Sequence, residues 1–206
     1  MKLGLRIFIG YLVISAVCFY YPIDWVLDTL RSRYLEGVED PLVDQANILA
    51  MMVGRQMEEG DFDRSQLFDD FQTVYQTALS ARIYTLLKTD VDMRIYITDS
   101  DGVVIFDSME KEAWGADYSN WRDVHHTLKG GYGARTTVAD SSDPTSSVLF
   151  VAAPICVAGE VAGVLTVAKP TTNIKYCLEK AKPRIFKVGT VAAVAAMGLS
   201  FFLAVW

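Results

Sequence analysis

Two stretches without a charged residue, 7–23 and 188–206, frame this chain. At about 1.5 Å rise per helical residue, each approaches the ~30 Å hydrocarbon core of a bilayer, so both are expected to be membrane spans. Between them the apolar spacing changes. Val26, Leu30, Tyr34 and Val38 recur every fourth residue, and Leu42, Ala46, Leu49 and Val53 continue the stripe beyond Pro41. That spacing predicts a long helix, broken or kinked at Pro41. Asp63 with Gln66 forms a capping-box pattern ahead of Leu67, Phe68, Phe71, Val74, Tyr75 and Ala78, which share one face of a second helix. From Met93 the runs become short and rich in Val, Ile, Thr and Ala: 93–98, a turn at 99–102, then 103–107, 132–138, 147–155 and 161–168. Five short strands joined as hairpins imply an antiparallel sheet in an α+β domain. Trp121, Val124 and Leu128 share one face of a short helix that Ser119 is expected to cap and Gly130 to close. Pro170 ends the last strand, and 173–182 leads as a helix to the second span, with Pro183 at the junction.

This pattern divides the chain into a first transmembrane helix (1–26), one domain (27–182) and a second transmembrane helix (183–206), with no repeat or flexible linker. Residues 27–179 hold 24 Asp and Glu against 13 Lys and Arg, a net charge of −11, whereas the whole chain carries −6. An acidic domain lacks the basic footprint that nucleic acid requires. Lys2 and Arg6 place the start of the first span in the cytoplasm, and Tyr20, Tyr21 and Trp25 suit the opposite interface, so the domain is expected outside. Lys180, Lys182, Arg184 and Lys187 pull the other way, but the first helix usually sets orientation, and these cations can meet acidic headgroups. The run before Phe19 and Tyr20 offers no small-residue cleavage site, so the first span should remain as an anchor. Cys18, Cys156 and Cys177 are too few for a disulfide framework and are read as free thiols, with a Cys156–Cys177 pair as the alternative.

Chemistry-bearing motifs are sparse. Asp99, Asp101 and Gly102 resemble the start of a calcium loop, but no further oxygen ligands follow, and a turn explains them. Gly130, Gly131 and Gly133 lack the strand-before, helix-after setting of a phosphate loop. His125 and His126 are adjacent, about 100° apart on a helix, and cannot jointly address one metal as an i, i+4 pair does. No catalytic set, cofactor motif or metal site emerges. The remaining cluster is Tyr118, Trp121, Arg122, Tyr132 and Arg135. Either these are core aromatics and ordinary ion pairs, or the aromatics wall a pocket in which Arg135, assisted by Arg122, holds an anionic group such as a carboxylate. Arg135 lies among small and β-branched residues, so an internal acid, a ligand or solvent must supply its acceptor.

Residues 97–108 (ITDSDGVVIFDS), 117–119 (DYS), Trp121, 131–135 (GYGAR), 146–155 (SSVLFVAAPI) and 163–170 (GVLTVAKP) together resemble the sensor region of CreC-type histidine kinases. The resemblance implies an inner-membrane, two-pass receptor with a periplasmic single-Cache, PAS-like domain, a homodimer, and a cytoplasmic response regulator as partner. The HAMP-like linker, phosphoacceptor helix and ATP-binding domain of that family are not among these residues, so the 206 residues themselves are expected to have no kinase activity and to be the sensory part of a longer receptor. The sensor half of a chemoreceptor or diguanylate cyclase, or a stand-alone membrane-anchored binding protein, are the alternatives.

Overall fold

A computed structural model describes residues 3–84, 86–140 and 143–205; the side chains at 3–8, 11–12, 15–16, 18–20, 22–24, 27–28, 31, 139–140, 143–145, 172–182, 199–201 and 203–205 lie outside the described set. The chain forms α1 (Leu3–Glu59), α2 (Arg64–Gln76), β1 (Ala81–Ile83), β2 (Leu86–Lys88), β3 (Arg94–Asp99), β4 (Val104–Asp107), α3 (Arg122–Leu128), β5 (Gly133–Asp140), β6 (Asp143–Val157), β7 (Glu160–Pro170) and α4 (Thr172–Val205). It divides into two compact units. Residues Gly37–Thr172 form one, and Met1–Glu36 with Asn173–Trp206 form the other.

In the Gly37–Thr172 unit, five strands form an antiparallel sheet in the order β4-β3-β7-β6-β5, as the five β-rich runs predict, and β1 and β2 form a separate two-stranded hairpin. Strand alternation sorts the sheet into two faces. Ile95, Ile97, Phe106, Leu149, Val151, Ala153, Ile155, Leu165 and Val167 point one way and pack under Leu42, Ala46, Ala50 and Val53 of α1, with Leu67, Phe68 and Phe71 of α2 alongside. Tyr96, Phe150, Ala152, Val164 and Ala168 point the other way, toward Val124 of α3 and toward Tyr118 and Trp121. Asp63 caps α2 as its sequence suggests, its side chain accepting from the Ser65 and Gln66 amides. The turn after β3 is an Asx turn: Asp99 Oδ1 accepts from the amides of Asp101 and Val103 at 3.0 and 2.9 Å.

Three local expectations are corrected. The first helix runs through Pro41 without a break, because Leu42, Ala46 and Ala50 are buried against the sheet and their packing outweighs the ~3 kcal/mol cost of an interior proline. Pro183, expected at the junction with the second span, likewise lies within a continuous helix, α4. Ser119 does not cap α3; its amide is taken by Asp117 Oδ1 in an Asx turn, and the helix starts after Trp121 with no side-chain cap. The β1–β2 hairpin had no counterpart in the expected strands.

In the second unit, α1 and α4 present large apolar side chains to their surroundings, among them Val13, Ile14, Val17, Trp25, Val188, Val191 and Phe202. Among the described residues, no helix is long and apolar enough to cross a membrane. Much of the two expected spans, 1–26 and 183–206, falls on side chains outside the described set. Cys156 is free and exposed, while Cys18 and Cys177 lie outside the described side chains.

Close approach and charge each give a test. A Cβ on Gly54 would stand 2.6 Å from the Cys156 carbonyl oxygen, whereas one on Gly37 meets nothing within 4 Å. Gly54→Ala should lower stability by about 1–3 kcal/mol in urea melts, as overpacking does. Gly37→Ala, in the same helix, should raise it by up to ~1 kcal/mol through helix propensity. At the other edge, Lys88 and Lys169 donate to one Asp92 oxygen at 2.7 and 2.6 Å. Burial raises the Asp92 pKa, but these two ammonium groups outweigh it and hold the carboxyl below its ordinary range. A depressed carboxyl adds stability above its unfolded pKa of about 3.9 and loses it as pH falls through the folded value. All three side chains are about 30% exposed, so screening limits the contribution to under about 1 kcal/mol. The stability difference between the wild type and Asp92→Asn should therefore be small at neutral pH and vanish in acid.

Candidate functional site

The face of the sheet opposite α1 carries the aromatic and cationic residues singled out in the sequence. Tyr118 and Trp121 flank the turn into α3 and stack with ring centroids 3.4 Å apart and an interplanar angle of 14°. Tyr96, from β3, meets both edge-on, at 5.4 and 6.1 Å. Arg135, projecting from β5, slides its guanidinium between rings, 4.0 Å from the Trp121 centroid and 3.8 Å from that of Phe150. Flat cation–π contacts of this kind suit arginine rather than lysine.

An internal acid supplies the acceptor that Arg135 requires. Asp123, in the first turn of α3, has no exposed surface, and its Oδ1 accepts from Arg135 Nε at 2.7 Å. Its other oxygen accepts from the Tyr96 hydroxyl and, at 3.4 Å, from Thr166 Oγ1. Burial, reinforced by the Asp123 charge, pushes the Tyr96 phenol far above its ordinary range, so it stays a donor. Arg135 Nη1 donates to Thr137 Oγ1 at 2.8 Å. Its Nη2 is buried and has no hydrogen-bond partner among the described residues. Gly133 lets α3 approach: a Cβ there would lie 2.1 Å from the Asp123 carbonyl and 2.2 Å from Thr127 Oγ1.

Arg122 and Tyr132 belong to a neighbouring, open part of the surface. With Glu39, Ala134, Arg135, Thr136 and Leu149 they line a cavity of about 260 Å³. The Tyr132 hydroxyl donates to Glu39 Oε1. Partial burial, together with Glu39, raises the Tyr132 phenol pKa. The five sequence candidates thus split. Tyr118, Trp121 and Arg135 share the buried network, Arg122 and Tyr132 line the cavity, and Arg135 touches both. Sequence reasoning missed Asp123, Tyr96, Thr166 and Phe150. The available signal was Tyr96 on the opposite strand face from Ile95 and Ile97, where an aliphatic would suffice.

Comparison with known proteins gives the family. Residues 62–180 match the family model described as the double sensory domain of two-component sensor kinase. The whole chain is 32% identical to the sensor protein CreC of Escherichia coli (strain K12), covering 100% of this chain and 43% of that protein. The chain therefore spans less than half the length of this relative. Among solved structures, it is similar to the sensor domain of the Vibrio cholerae histidine kinase DctB (15% identity, TM-score 0.39, 85% of this chain and 60% of that one). It is also similar to the ligand-binding domain of the Pseudomonas aeruginosa PAO1 amino acid chemoreceptor PctC (16%, TM-score 0.43, 76% and 64%). The chain belongs to the family of sensory domains of two-component sensor kinases. One five-stranded sheet is present among its described residues, although the family description speaks of a double domain.

Removing one partner of a buried ion pair leaves the other charge uncompensated. Arg135→Ala should therefore destabilise the domain by about 3–5 kcal/mol, read as a fall in thermal midpoint. The double change Arg135→Met with Asp123→Leu, which leaves no buried charge, should recover most of that loss.

Proposed function

We propose that this chain is the membrane-anchored sensing part of a bacterial two-component receptor, responding to a small anionic cue outside the cytoplasm. The supporting observation is Arg135: its guanidinium is held between Trp121 and Phe150 and steered by Asp123, with one buried donor, Nη2, still unmatched. A carboxylate entering from the adjoining cavity would meet Arg122 and Arg135 and displace Glu39 from Tyr132. Charge-assisted, bidentate recognition by arginine suits such a group. Residues 1–26 and 183–206 are the spans in this reading, supported by the uncharged runs and by the exposed apolar side chains of α1 and α4. The sensor domain, 27–182, is then periplasmic, by the Lys2 and Arg6 bias. Relatives of this family carry a kinase, so the output is phosphorylation of a cytoplasmic response regulator by a region beyond these residues. A homodimer pairs the exposed Ile48, Met51 and Met52 of α1 with those of a second copy.

Two measurements test this. With Cys18, Cys156 and Cys177 changed to serine, a single cysteine at Glu160 should react with a membrane-impermeant maleimide in intact spheroplasts; reaction only after lysis overturns the topology. For the cue, a panel of small carboxylates should raise the thermal midpoint of the wild type, by about 2.7 kcal/mol of stability at a hundredfold excess over Kd. Arg122 is exposed, so Arg122→Gln should leave the unliganded stability within about 0.5 kcal/mol. It should weaken carboxylate binding by roughly 10- to 100-fold, the loss of one charged hydrogen bond. A wild type that no carboxylate stabilises leaves Arg135 a structural residue.

A further inference from the structure

Glu39 brings a carboxylate of the chain's own into the cavity that Arg122 and Arg135 line. Its hydrogen bond goes to a neutral phenol, that of Tyr132, and to neither arginine among the described residues. The cavity straddles an edge of the sheet. Arg135 and Phe150 are register partners on the α3 face, whereas the next pair along, Thr136 and Leu149, faces α1. β5 is the outermost strand on this side. Arg135, Thr136 and Leu149 all line the cavity, so it reaches both faces at once.

The charges around it balance. Arg122 and Arg135 are cationic, and Asp123 and Glu39 are anionic. Asp123 is committed to Arg135, whose Nε it holds at 2.7 Å, which leaves Glu39 to offset Arg122 across the cavity. A carboxylate arriving at Arg122 adds one negative charge and faces Glu39 as a like charge. Two unit charges a few ångströms apart near a protein surface repel strongly enough to change an affinity about tenfold.

Both ends of the Glu39–Tyr132 bond are firmly mounted. Glu39 rides on α1, whose following turns are buried against the sheet at Leu42 and Ala46. Tyr132 sits on the short link from α3 to β5, where the Gly131 amide donates to the His126 carbonyl at 2.9 Å. The bond joins residues 93 positions apart, and so ties α1 to the α3–β5 link. The Tyr132 side chain itself is more exposed than buried, so little packing supports the bond.

We infer that Glu39 is a built-in rival of the ligand carboxylate: an anion engages Arg122 and Arg135 only as Glu39 leaves Tyr132, so that binding releases α1 from the α3–β5 link. This rests on the reading of the cavity as a carboxylate site. Glu39 then sets both the affinity of that site and the first contact that binding breaks.

Isothermal titration calorimetry of the full chain in detergent, with acetate, propionate and benzoate as probes, compares the wild type with Glu39→Gln and Arg122→Gln. Glutamine still accepts from the Tyr132 hydroxyl, so Glu39→Gln removes the charge and keeps the bond. The expected result is binding about tenfold tighter in Glu39→Gln and weaker in Arg122→Gln. For the second step, 3-fluorotyrosine placed at position 132 alone reports the surroundings of the phenol by fluorine NMR. Saturating carboxylate should move its resonance toward the position it takes in Glu39→Ala. Binding in Glu39→Gln that is equal to the wild type or weaker overturns the rivalry, and with Arg122→Gln weakened it leaves the carboxylate site standing. A fluorine resonance that saturating carboxylate leaves unmoved overturns the release of α1. If no probe binds either the wild type or Glu39→Gln, the carboxylate reading falls and the inference falls with it.

Discussion

A carboxylate withdrawn completely from water cannot stand alone, and Asp123 is such a group. The idealised cost of moving an ion of this size into a low-dielectric interior is of order 20 kcal/mol, and even after relaxation several kcal/mol remain to be offset by partners. Here the partners of Asp123, itself on α3, come from three strands: Tyr96 from β3, Arg135 from β5 and Thr166 from β7. Satisfying one buried charge therefore fixes how α3 sits across the sheet. It also fixes how the edge strand β5 relates to strands that it does not pair with directly. The aromatic stack follows from the same constraint. With Asp123 holding Nε, the guanidinium plane lies between Trp121 and Phe150, and Tyr118 covers Trp121 from the other side. Gly133 is required because no larger residue admits the α3 backbone at that distance.

The opposite face buries no carboxylate among its core side chains, and apolar packing dominates there, with the Tyr75 hydroxyl and Gln72 bonding Ser108 at its margin. Apart from Phe106, its buried side chains are aliphatic or small, Ile95, Ile97, Val151, Ala153, Leu165 and Val167 among them, and the covering helix presents Leu42, Ala46 and Ala50. This half of the fold was legible in the sequence because each signal is local. Period-two alternation marks strands, every-fourth spacing marks α1, and Asp63 marks the start of α2. What misled was also local. Pro41 read as a break or kink and Pro183 as a junction, yet both lie within continuous helices, and at Pro41 tertiary packing outweighs the local preference. Ser119 read as a cap, yet a competing Asx turn takes its amide. The β1–β2 hairpin escaped because its strands are three residues each, too short to show a period.

The candidate site was legible only in part, and the division has a physical reason. Trp121, Tyr118 and Arg135 stand out by residue type, since large aromatics and a lone arginine in a strand of small residues need partners wherever they fall. Asp123 does not stand out. An acid in the first turn of a helix normally faces solvent and complements the helix dipole, and nothing in the neighbouring sequence says that this one is buried. Its pairing joins residues 12, 27 and 43 positions apart, so it is a product of topology and not of spacing.

The two faces differ in what they can register. An aliphatic face packed by shape resists small displacements uniformly, because each contact is weak and none is directional. A network of one carboxylate, one guanidinium, a phenol and a hydroxyl is directional, and an added anion alters every member at once through the low local dielectric. Arg135 already balances Asp123 on one side and borders the open cavity on the other, so an anion competing for the guanidinium would loosen the hold of β5 on α3. On the other face, α1 lies directly against the sheet. A Cβ on Gly54 would clash with the Cys156 carbonyl, so α1 and β6 are in backbone contact there, and α1 continues without a break from Glu59 back to Leu3. Within the Gly37–Thr172 unit, a shift of the sheet therefore meets no glycine- or serine-rich linker before it reaches α1.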